Sequence, residues 1–269
     1  MTWHLAVQEQ MVDGTSLEAK FEAAVSGGFE GLELGGGGGG TFRERLPEIR
    51  RARSAGVVMP TVCVRMDHFI GDFDAHRRAS ARAGMSELLE VIVEAGGFGA
   101  ITPAAFGLFS AVLPPFRSPR SRADDRMVLL EELHALGEHA RRVGAVLLLE
   151  PLNRYEDHMV NTLAQAVSLV EELGQKSVRV MADTFHMNIE EADPASSLAE
   201  ALPWVGHVQL GDTNRLEPGA GHTDWAALVG SLDQAGYEGW LAMECGLSGP
   251  SADVLPAVSA LLRSVSRSA

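Results

Sequence analysis

The chain has 269 residues, of which 46% are hydrophobic, and this length is enough for one sizeable buried core. Its formal net charge of −14 repels phosphate backbones, so nucleic acid is not an expected partner. The N-terminal segment lacks the basic-then-apolar pattern of a signal peptide, and no apolar run approaches the ~18 residues of a membrane span. We therefore expect a cytoplasmic protein with no membrane association.

Short apolar runs alternate with longer stretches of helical periodicity along the whole chain. The runs predict eight strands, at residues 3–7, 31–34, 57–64, 100–105, 145–149, 178–182, 205–210 and 240–243. The stretches between them predict helices at residues 16–26, 42–55, 74–95, 124–143, 162–173, 194–201, 224–235 and 251–264.

The segment LLEVIV, residues 88–93, could be taken for a strand. Glutamates flank and interrupt it at Glu87, Glu90 and Glu94, three and four residues apart, which is the period of a helix rather than the alternation of a strand. With this segment helical, strands and helices alternate through the chain, which favours parallel strands joined by right-handed crossovers. Eight such units at this length predict a single-domain (β/α)8 TIM barrel over residues 1–269, with a doubly wound open sheet as the alternative.

A run of six glycines, residues 35–40, follows the second predicted strand. The run is followed by no Lys-Ser or Lys-Thr pair, so it is not a phosphate-binding loop. It is either a flexible connection or a loop whose backbone comes close to a ligand.

Polar side chains end the last four predicted strands. Glu150 follows the fifth strand, Asp183 the sixth and Glu244 the eighth, while Gln209 lies one residue before the end of the seventh. Because the carboxyl ends of barrel strands share the face that carries the active site, we expect these side chains to converge. Three carboxylates so close together repel each other unless a cation lies among them. This oxygen-rich set suits Mn²⁺, Mg²⁺ or Co²⁺ rather than Zn²⁺.

Structural roles compete with this interpretation. Asp183 could cap the segment that follows it, and Gln209 could hydrogen-bond inside the barrel. His207, two residues before Gln209 on the same face of its strand, is expected to pack beside the site rather than bind an ion. The position of four polar residues at equal depth on adjacent strands is what favours a metal site.

The loops after these strands supply further polar side chains. Glu156 follows the fifth strand, His186 lies three residues after Asp183, and Arg215 lies in a Gly/Pro-rich loop after the seventh strand. They suit a polyol or sugar-like substrate. The alternatives are a solvated loop histidine at His186 and a surface ion pair between Arg215 and Glu217.

Four segments within residues 145–246 resemble the sugar isomerase/epimerase superfamily of xylose isomerase-like TIM barrels: LLLEPLNRYE, MADTFHMNIEE, HVQLGDTNRLEPGAG and LAMECG. The similarity is greatest to ketose 3-epimerases of the D-tagatose/D-psicose type. That family holds one divalent metal ion, commonly Mn²⁺ or Co²⁺, through Glu, Asp, His and Glu. The resemblance implies Glu150, Asp183 and Glu244 as ligands, with the histidine position falling on Gln209. A glutamine there, followed by RLEPGAG, resembles hydroxypyruvate isomerases instead.

The resemblance implies a metal-dependent sugar or sugar phosphate isomerase or epimerase that works through an enediolate, with a ketose 3-epimerase as the first expectation. Glu150 and Glu244 would be the acid/base pair, and Glu156, His186 and Arg215 would hold a keto sugar or related polyol. The cofactor would be one divalent ion, Mn²⁺ before Co²⁺ or Mg²⁺, in a homodimer or homotetramer. Hydroxypyruvate isomerase and an inosose dehydratase-like lyase are the alternatives on the same scaffold.

Other classes fit the sequence less well. A Schiff-base aldolase needs a lysine at a strand end, and the only lysines are Lys20 and Lys176, in a predicted helix and a turn. An enzyme like endonuclease IV needs a basic groove and several strand-end histidines, which the charge and the strand ends oppose. A sugar-binding barrel without activity would not need two acids beside a metal ion.

The segment 106–122 after the fourth predicted strand is long, first apolar and then basic. As a lid, it could present arginines to a phosphate or carboxylate on the substrate (Arg117, Arg120, Arg122). Equally, it could form a dimer contact through its phenylalanines (Phe106, Phe109, Phe116).

Overall fold

Eight parallel strands close into a barrel in chain order, each hydrogen-bonded to the next and β8 to β1. The computed structural model describes residues 2–266. The strands are β1 (His4–Gln8), β2 (Gly31–Gly36), β3 (Thr61–Val64), β4 (Gly99–Pro103), β5 (Val146–Glu150), β6 (Val178–Asp183), β7 (Val205–Leu210) and β8 (Trp240–Met243). The predicted (β/α)8 barrel is confirmed.

Helices surround the barrel between successive strands. They are α1 (Leu17–Ser26), α2 (Thr41–Glu44), α3 (Leu46–Ser54), α4 (Ala75–Glu94), α5 (Arg122–Val143), α6 (Leu163–Leu173), α7 (Thr184–Glu190), α8 (Pro194–Ala201), α9 (Trp225–Gln234) and α10 (Ser251–Ser266). The segment LLEVIV lies inside α4, so its helical assignment is confirmed. Within residues 2–266, no helix is both long and apolar enough to span a membrane.

Local chemistry sets several helix boundaries. Thr162 and Gln165 form a reciprocal capping box at the start of α6. Gly144 and Gly174 end α5 and α6 in the left-handed conformation that glycine adopts without a steric penalty. These signals stand in the sequence, which is why the predicted and observed boundaries of these helices agree closely.

Three differences from the prediction exceed shifts of one or two residues at the ends of elements. β3 begins at Thr61 rather than at residue 57, because Pro60 cannot donate a ladder hydrogen bond. The helix predicted at residues 42–55 is divided into α2 and α3 at Arg45, with a proline in the first turn of α3. The short helix α7 was not predicted, because it begins directly after β6 with no loop between them.

Close packing and hydrogen bonds tie both ends of the glycine run to neighbouring elements. Its first two residues end β2, where a Cβ on Gly36 would lie 2.6 Å from Cγ2 of Val62. Gly40 has a φ of 92° and donates its N–H to Glu87 of α4, which also accepts the N–H of Arg43. Glycine is therefore required both for close packing and for a turn with positive φ.

Side chains alternate between the two faces of each strand, so residues two apart point into the barrel. A small apolar cluster from β3 to β6 occupies one side of the interior (Cys63, Ile101, Leu148 and Met181). The residues two positions further along β5 and β6 are Glu150 and Asp183. The main hydrophobic core is a separate cluster of residues from the strands and the surrounding helices.

Asp212 organises the loop between β7 and α9. Its carboxylate is fully buried and accepts hydrogen bonds from the backbone N–H of Thr213, Gly219 and Thr223, the hydroxyl of Thr223 and the indole N–H of Trp225. Because the loop carries Arg215, this one acid fixes a residue of the barrel mouth.

We expect Asp212→Asn to lower the free energy of unfolding by about 2–4 kcal/mol, because the new amide group places N–H donors against the two donors that Oδ2 now accepts. Urea unfolding measures the difference. Asp224→Asn is the matched control, since Asp224 caps α9 and asparagine is an equally good cap. Equal stability of the two variants would contradict the role assigned to Asp212.

Candidate active site

The strand ends bring the predicted site residues to one face of the barrel. Asp183 and Gln209 are register partners on β6 and β7, and Glu150 ends β5 beside them. Glu244 directly follows β8 and donates its backbone N–H to Leu210 of β7. Asp183, Gln209 and Glu150 are at most 4% exposed as whole residues, so their charges and dipoles act in a largely dry environment.

Glu150, Asp183 and His186 each offer a ligand atom within 4.8 Å of the other two. Glu244 is not in this closest group, but it lines the same cavity as Glu150 and His186. The cavity has a volume of about 140 Å³, and its remaining lining residues are Cys63, Val64, Phe69, Pro103, Phe106, Leu152, Glu156 and Arg215. Acidic and basic groups thus share a small cleft with an apolar wall.

Burial raises the pKa of the three carboxyl groups. Burial, and then the charges of Glu244 and Asp183, hold the pKa of Glu150 well above its usual range. Burial raises the pKa of Asp183 to about 7, although two backbone N–H groups and Arg215 oppose the shift. Burial, and then the charges of Asp183 and Glu33, raise the pKa of Glu244 to about 8. Full ionisation at neutral pH therefore needs additional positive charge among these groups.

Asp183 both caps a helix and faces the site. Its Oδ1 atom accepts the backbone N–H groups of Phe185 and His186 at the start of α7. The capping alternative raised by the sequence is therefore also true, and the second oxygen stays available for another partner. Because Asp183 is the N-cap of α7, the first turn of this helix carries His186 into the cavity.

His186 is buried, at 2% exposure, and is not a solvated loop residue. Its Nδ1 atom accepts hydrogen bonds from the backbone N–H and the side-chain amide of Asn153, at 3.1 and 2.9 Å. Burial lowers the pKa of His186 to about 4, so the ring is neutral and its proton lies on Nε2. Nε2 lies 3.7 Å from Glu150 Oε1 and 3.9 Å from Glu156 Oε2. It is therefore placed as a hydrogen-bond donor rather than as a metal ligand.

Arg215 covers the cavity in contact with Glu156. Its Nη1 atom donates to Glu156 Oε1 at 3.0 Å, and its guanidinium lies 4.7 Å above the ring centre of Phe185. Its φ is 59°, which is uncommon for a residue other than glycine and indicates a backbone held by its surroundings. The alternative pairing with Glu217 is not formed, since Glu217 accepts hydrogen bonds from Ser248.

Glu33, on β2, is a site-supporting residue that the sequence analysis missed. It is fully buried and accepts hydrogen bonds from the side chains of Gln8, Thr61, His207 and Gln209. Burial alone would raise the pKa of Glu33, but the hydrogen bond and charge of His207 and the other donors lower it overall. An acid in the short apolar strand GLELGG was the available signal.

The segment between β4 and α5 contains one engaged arginine and two exposed phenylalanines. Arg120 is already engaged, because it donates to Asp125 at 2.5 Å and to the carbonyl of Gly71 at 2.7 Å. Phe106 lines the site cavity yet is 47% exposed, and Phe116 is 59% exposed. A lid role and a dimer contact both remain predictions.

The chain matches the family described as xylose isomerase-like TIM barrel over residues 21–265. It is 37% identical over 241 residues to the 3-dehydro-D-guloside 4-epimerase of Escherichia coli (strain K12), covering 89% of this chain and 91% of that protein. A crystal structure of 3-keto-D-glucoside 4-epimerase from E. coli, in apo form, has a TM-score of 0.91 at 35% identity, covering 97% of this chain and 99% of the other. Identity to the D-psicose 3-epimerase of Enterocloster bolteae is 38% over 138 residues, 51% of this chain and 46% of that protein.

These relatives are all named as epimerases, in agreement with the resemblance carried by the four motifs. The family match extends across most of the chain, and it also includes residues 21–144, which lie outside the four motifs. The protein belongs to the xylose isomerase-like TIM barrel family and is an enzyme of the isomerase class.

Proposed function

We propose that the protein is a metal-dependent sugar epimerase that removes and returns a proton at the carbon next to a sugar carbonyl. The observation that carries this proposal is the convergence of Glu150, Asp183 and Glu244, together with Gln209, at one end of the barrel. Two of these acids, Glu150 and Glu244, line the cavity from strands that are separated by β6 and β7. They approach a bound molecule from different sides, as an inversion of one carbon requires.

The favoured substrate is a 3-keto hexoside that is epimerised at C4. The relatives named for this reaction match nearly the whole chain, at 37% and 35% identity. In a 3-keto hexoside, the C4–H bond lies next to the C3 carbonyl. Epimerisation at C4 therefore needs the same proton transfer next to a carbonyl as the predicted ketose 3-epimerase reaction. A ketose 3-epimerase is the second candidate, because the D-psicose 3-epimerase relative is similar over 51% of this chain.

The donor set fits a divalent cation. The Glu150 and Asp183 carboxylates lie within 4.8 Å of each other, and the Oε1 atom of Gln209 is buried without a hydrogen-bond partner. Glu150, Asp183, Gln209 and Glu244 would hold the ion through oxygen, which suits Mn²⁺, the first expectation, and also Co²⁺ or Mg²⁺. Such an ion would polarise the substrate carbonyl and so acidify the neighbouring C–H bond.

Glu150 and Glu244 exchange the proton. One carboxylate takes the proton from the carbon while the C–H electron pair enters the enediolate, and the other carboxyl delivers a proton to the opposite face. Each carboxylate has two oxygens, so one oxygen can bind the ion while the other faces the carbon. Phe69 and Phe106, on the cavity wall, limit the access of water to this intermediate.

Three further side chains orient the substrate. His186 donates its Nε2 proton to a substrate oxygen, since Nδ1 is already bonded to Asn153. Glu156 has one oxygen bonded to Arg215 and a second, buried oxygen without a partner, which can accept a sugar hydroxyl. Arg215 closes the cavity from the loop that Asp212 fixes.

A substrate panel with the Mn²⁺-loaded protein tests the function. We expect exchange of the substrate C–H hydrogen with solvent deuterium for a 3-keto glucoside, and weaker exchange for free ketoses, because the relatives matched over nearly the whole chain are named for the former. Hydroxypyruvate and inososes are the comparison compounds for the isomerase and the lyase. Exchange confined to those two compounds would refute the epimerase assignment.

Glu150→Gln and Glu244→Gln are each expected to lower the exchange rate by about 10²–10⁴-fold, because each removes one of the two proton carriers. Deuterium incorporation followed by NMR measures the rate, and Mn²⁺ binding is measured on the same samples. Glu94→Gln, a surface change on α4, is the matched control. The assignment fails if either site variant binds Mn²⁺ and keeps the wild-type exchange rate.

At one fixed Mn²⁺ concentration, added Mn²⁺ is expected to raise the melting temperature more at pH 8 than at pH 6. With the ion at 100 times the Kd that applies at pH 8, the gain at pH 8 is about 5–10 °C. The pKa of Asp183 is raised from 3.8 to about 7 and that of Glu244 from 4.5 to about 8. In the folded, ion-free protein both carboxyls thus hold protons that the unfolded chain has lost, so its stability falls as the pH rises through this range.

The same protons must leave before the ion binds, so the apparent affinity rises with pH. Thermal unfolding with and without Mn²⁺ gives the comparison, and Asp183→Asn should remove most of the gain. A gain that is equal at pH 6 and pH 8 would contradict the involvement of these carboxyls.

A further inference from the structure

Glu33 is a buried acid whose hydrogen-bonding capacity is filled from three other strands. Oε1 accepts the side-chain N–H groups of Gln8 and Gln209, at 3.0 and 2.5 Å. Oε2 accepts the hydroxyl of Thr61 at 2.7 Å and lies 2.8 Å from Nε2 of His207. An ionised carboxylate can only accept, so every neighbour must turn a donor toward it.

This constraint decides which end of the Gln209 amide faces the acid cluster. A glutamine amide has a donor end and an acceptor end, and either could face the site in the absence of a fixed partner. Because Glu33 accepts a hydrogen bond from the N–H₂ group of Gln209, the carbonyl oxygen Oε1 of that amide points away from Glu33. That oxygen is buried and has no hydrogen-bond partner among the described residues. An unpaired buried acceptor costs about 1–3 kcal/mol, unless a cation or a donor occupies the space in front of it.

We propose that Glu33 is a positioning residue that fixes the orientation of Gln209, so that its carbonyl oxygen faces the divalent ion and its N–H₂ group does not. This inference rests on the proposed metal site and names the residue that makes glutamine a suitable ligand in it. The hydrogen bond from Gln209 to Glu33 crosses the barrel from β7 to β2. The N-terminal part of the chain thereby contributes to a site whose other ligands lie on β5 to β8.

Glu33→Gln tests the inference, because a neutral amide at position 33 can both donate and accept hydrogen bonds. It therefore no longer fixes which end of the Gln209 amide faces the ion. We expect Mn²⁺ to bind the metal-free variant about tenfold more weakly or worse. The dissociation constant is measured by titration of Mn²⁺ followed by electron paramagnetic resonance. Thr61→Val is the matched control, since it removes one hydrogen bond to the other oxygen of Glu33 and leaves the bond to Gln209.

Thr61→Val should lower the stability in urea and leave the Mn²⁺ dissociation constant within about threefold of wild type. A purely stabilising role of Glu33 would instead make the loss of affinity follow the loss of stability in both variants. Wild-type affinity in folded Glu33→Gln overturns the inference.

The double variant Glu33→Gln with Gln209→Glu provides a second, independent test. A carboxylate at position 209 presents oxygen at both ends, so its orientation no longer matters, and the net charge equals that of the wild type. We expect Mn²⁺ affinity to return at least to the wild-type level, and this holds even if Glu33→Gln alone does not fold. A double variant as weak as Glu33→Gln overturns the inference. Failure of the wild-type protein to bind Mn²⁺ would instead reject the proposed function.

Discussion

Repulsion among three neighbouring carboxyl groups, two of them on buried residues and the third on the partly buried Glu244, is the constraint on which the rest of the barrel mouth depends. Glu150, Asp183 and Glu244 each have a raised pKa, first through burial and then, for Glu150 and Glu244, through the other acids. A fold keeps such a group only if the surrounding structure is rigid enough to hold it and some other function requires it. The closed sheet supplies that rigidity, since every strand is paired on both sides.

The interior of the barrel is divided between an apolar and a polar side. Cys63, Ile101, Leu148 and Met181, from β3 to β6, form the apolar cluster. Opposite them, Glu33 is hydrogen-bonded to His207 and Gln209 of β7, and all three side chains are fully buried. These hydrogen bonds remain strong because water is excluded, and they tie the two halves of the barrel together.

Several residues serve the fold and the site at once. Asp183 caps α7 with one oxygen, and this cap places His186 in the cavity. Asn153, in the loop after β5, fixes the tautomer of His186 by donating two hydrogen bonds to Nδ1. Asp212 does not itself line the cavity, yet it holds the loop that carries Arg215 and accepts the backbone N–H of that residue. The positions of the proposed site residues thus follow from ordinary hydrogen-bonding requirements of helix ends and loops.

The sequence by itself determined the alternation of strands and helices, and with it the barrel and the face on which Glu150, Asp183, Gln209 and Glu244 lie. These features depend on local periodicity and on strand ends, which are visible in one dimension. Only the tertiary structure decided that Glu33 is hydrogen-bonded to Gln209, 176 residues away in the sequence. It also decided that Asp183 caps α7 and that Arg215 pairs with Glu156 rather than Glu217. Such pairings depend on which side chains meet across the closed barrel. The spacing of residues along the sequence does not reveal their distances in space.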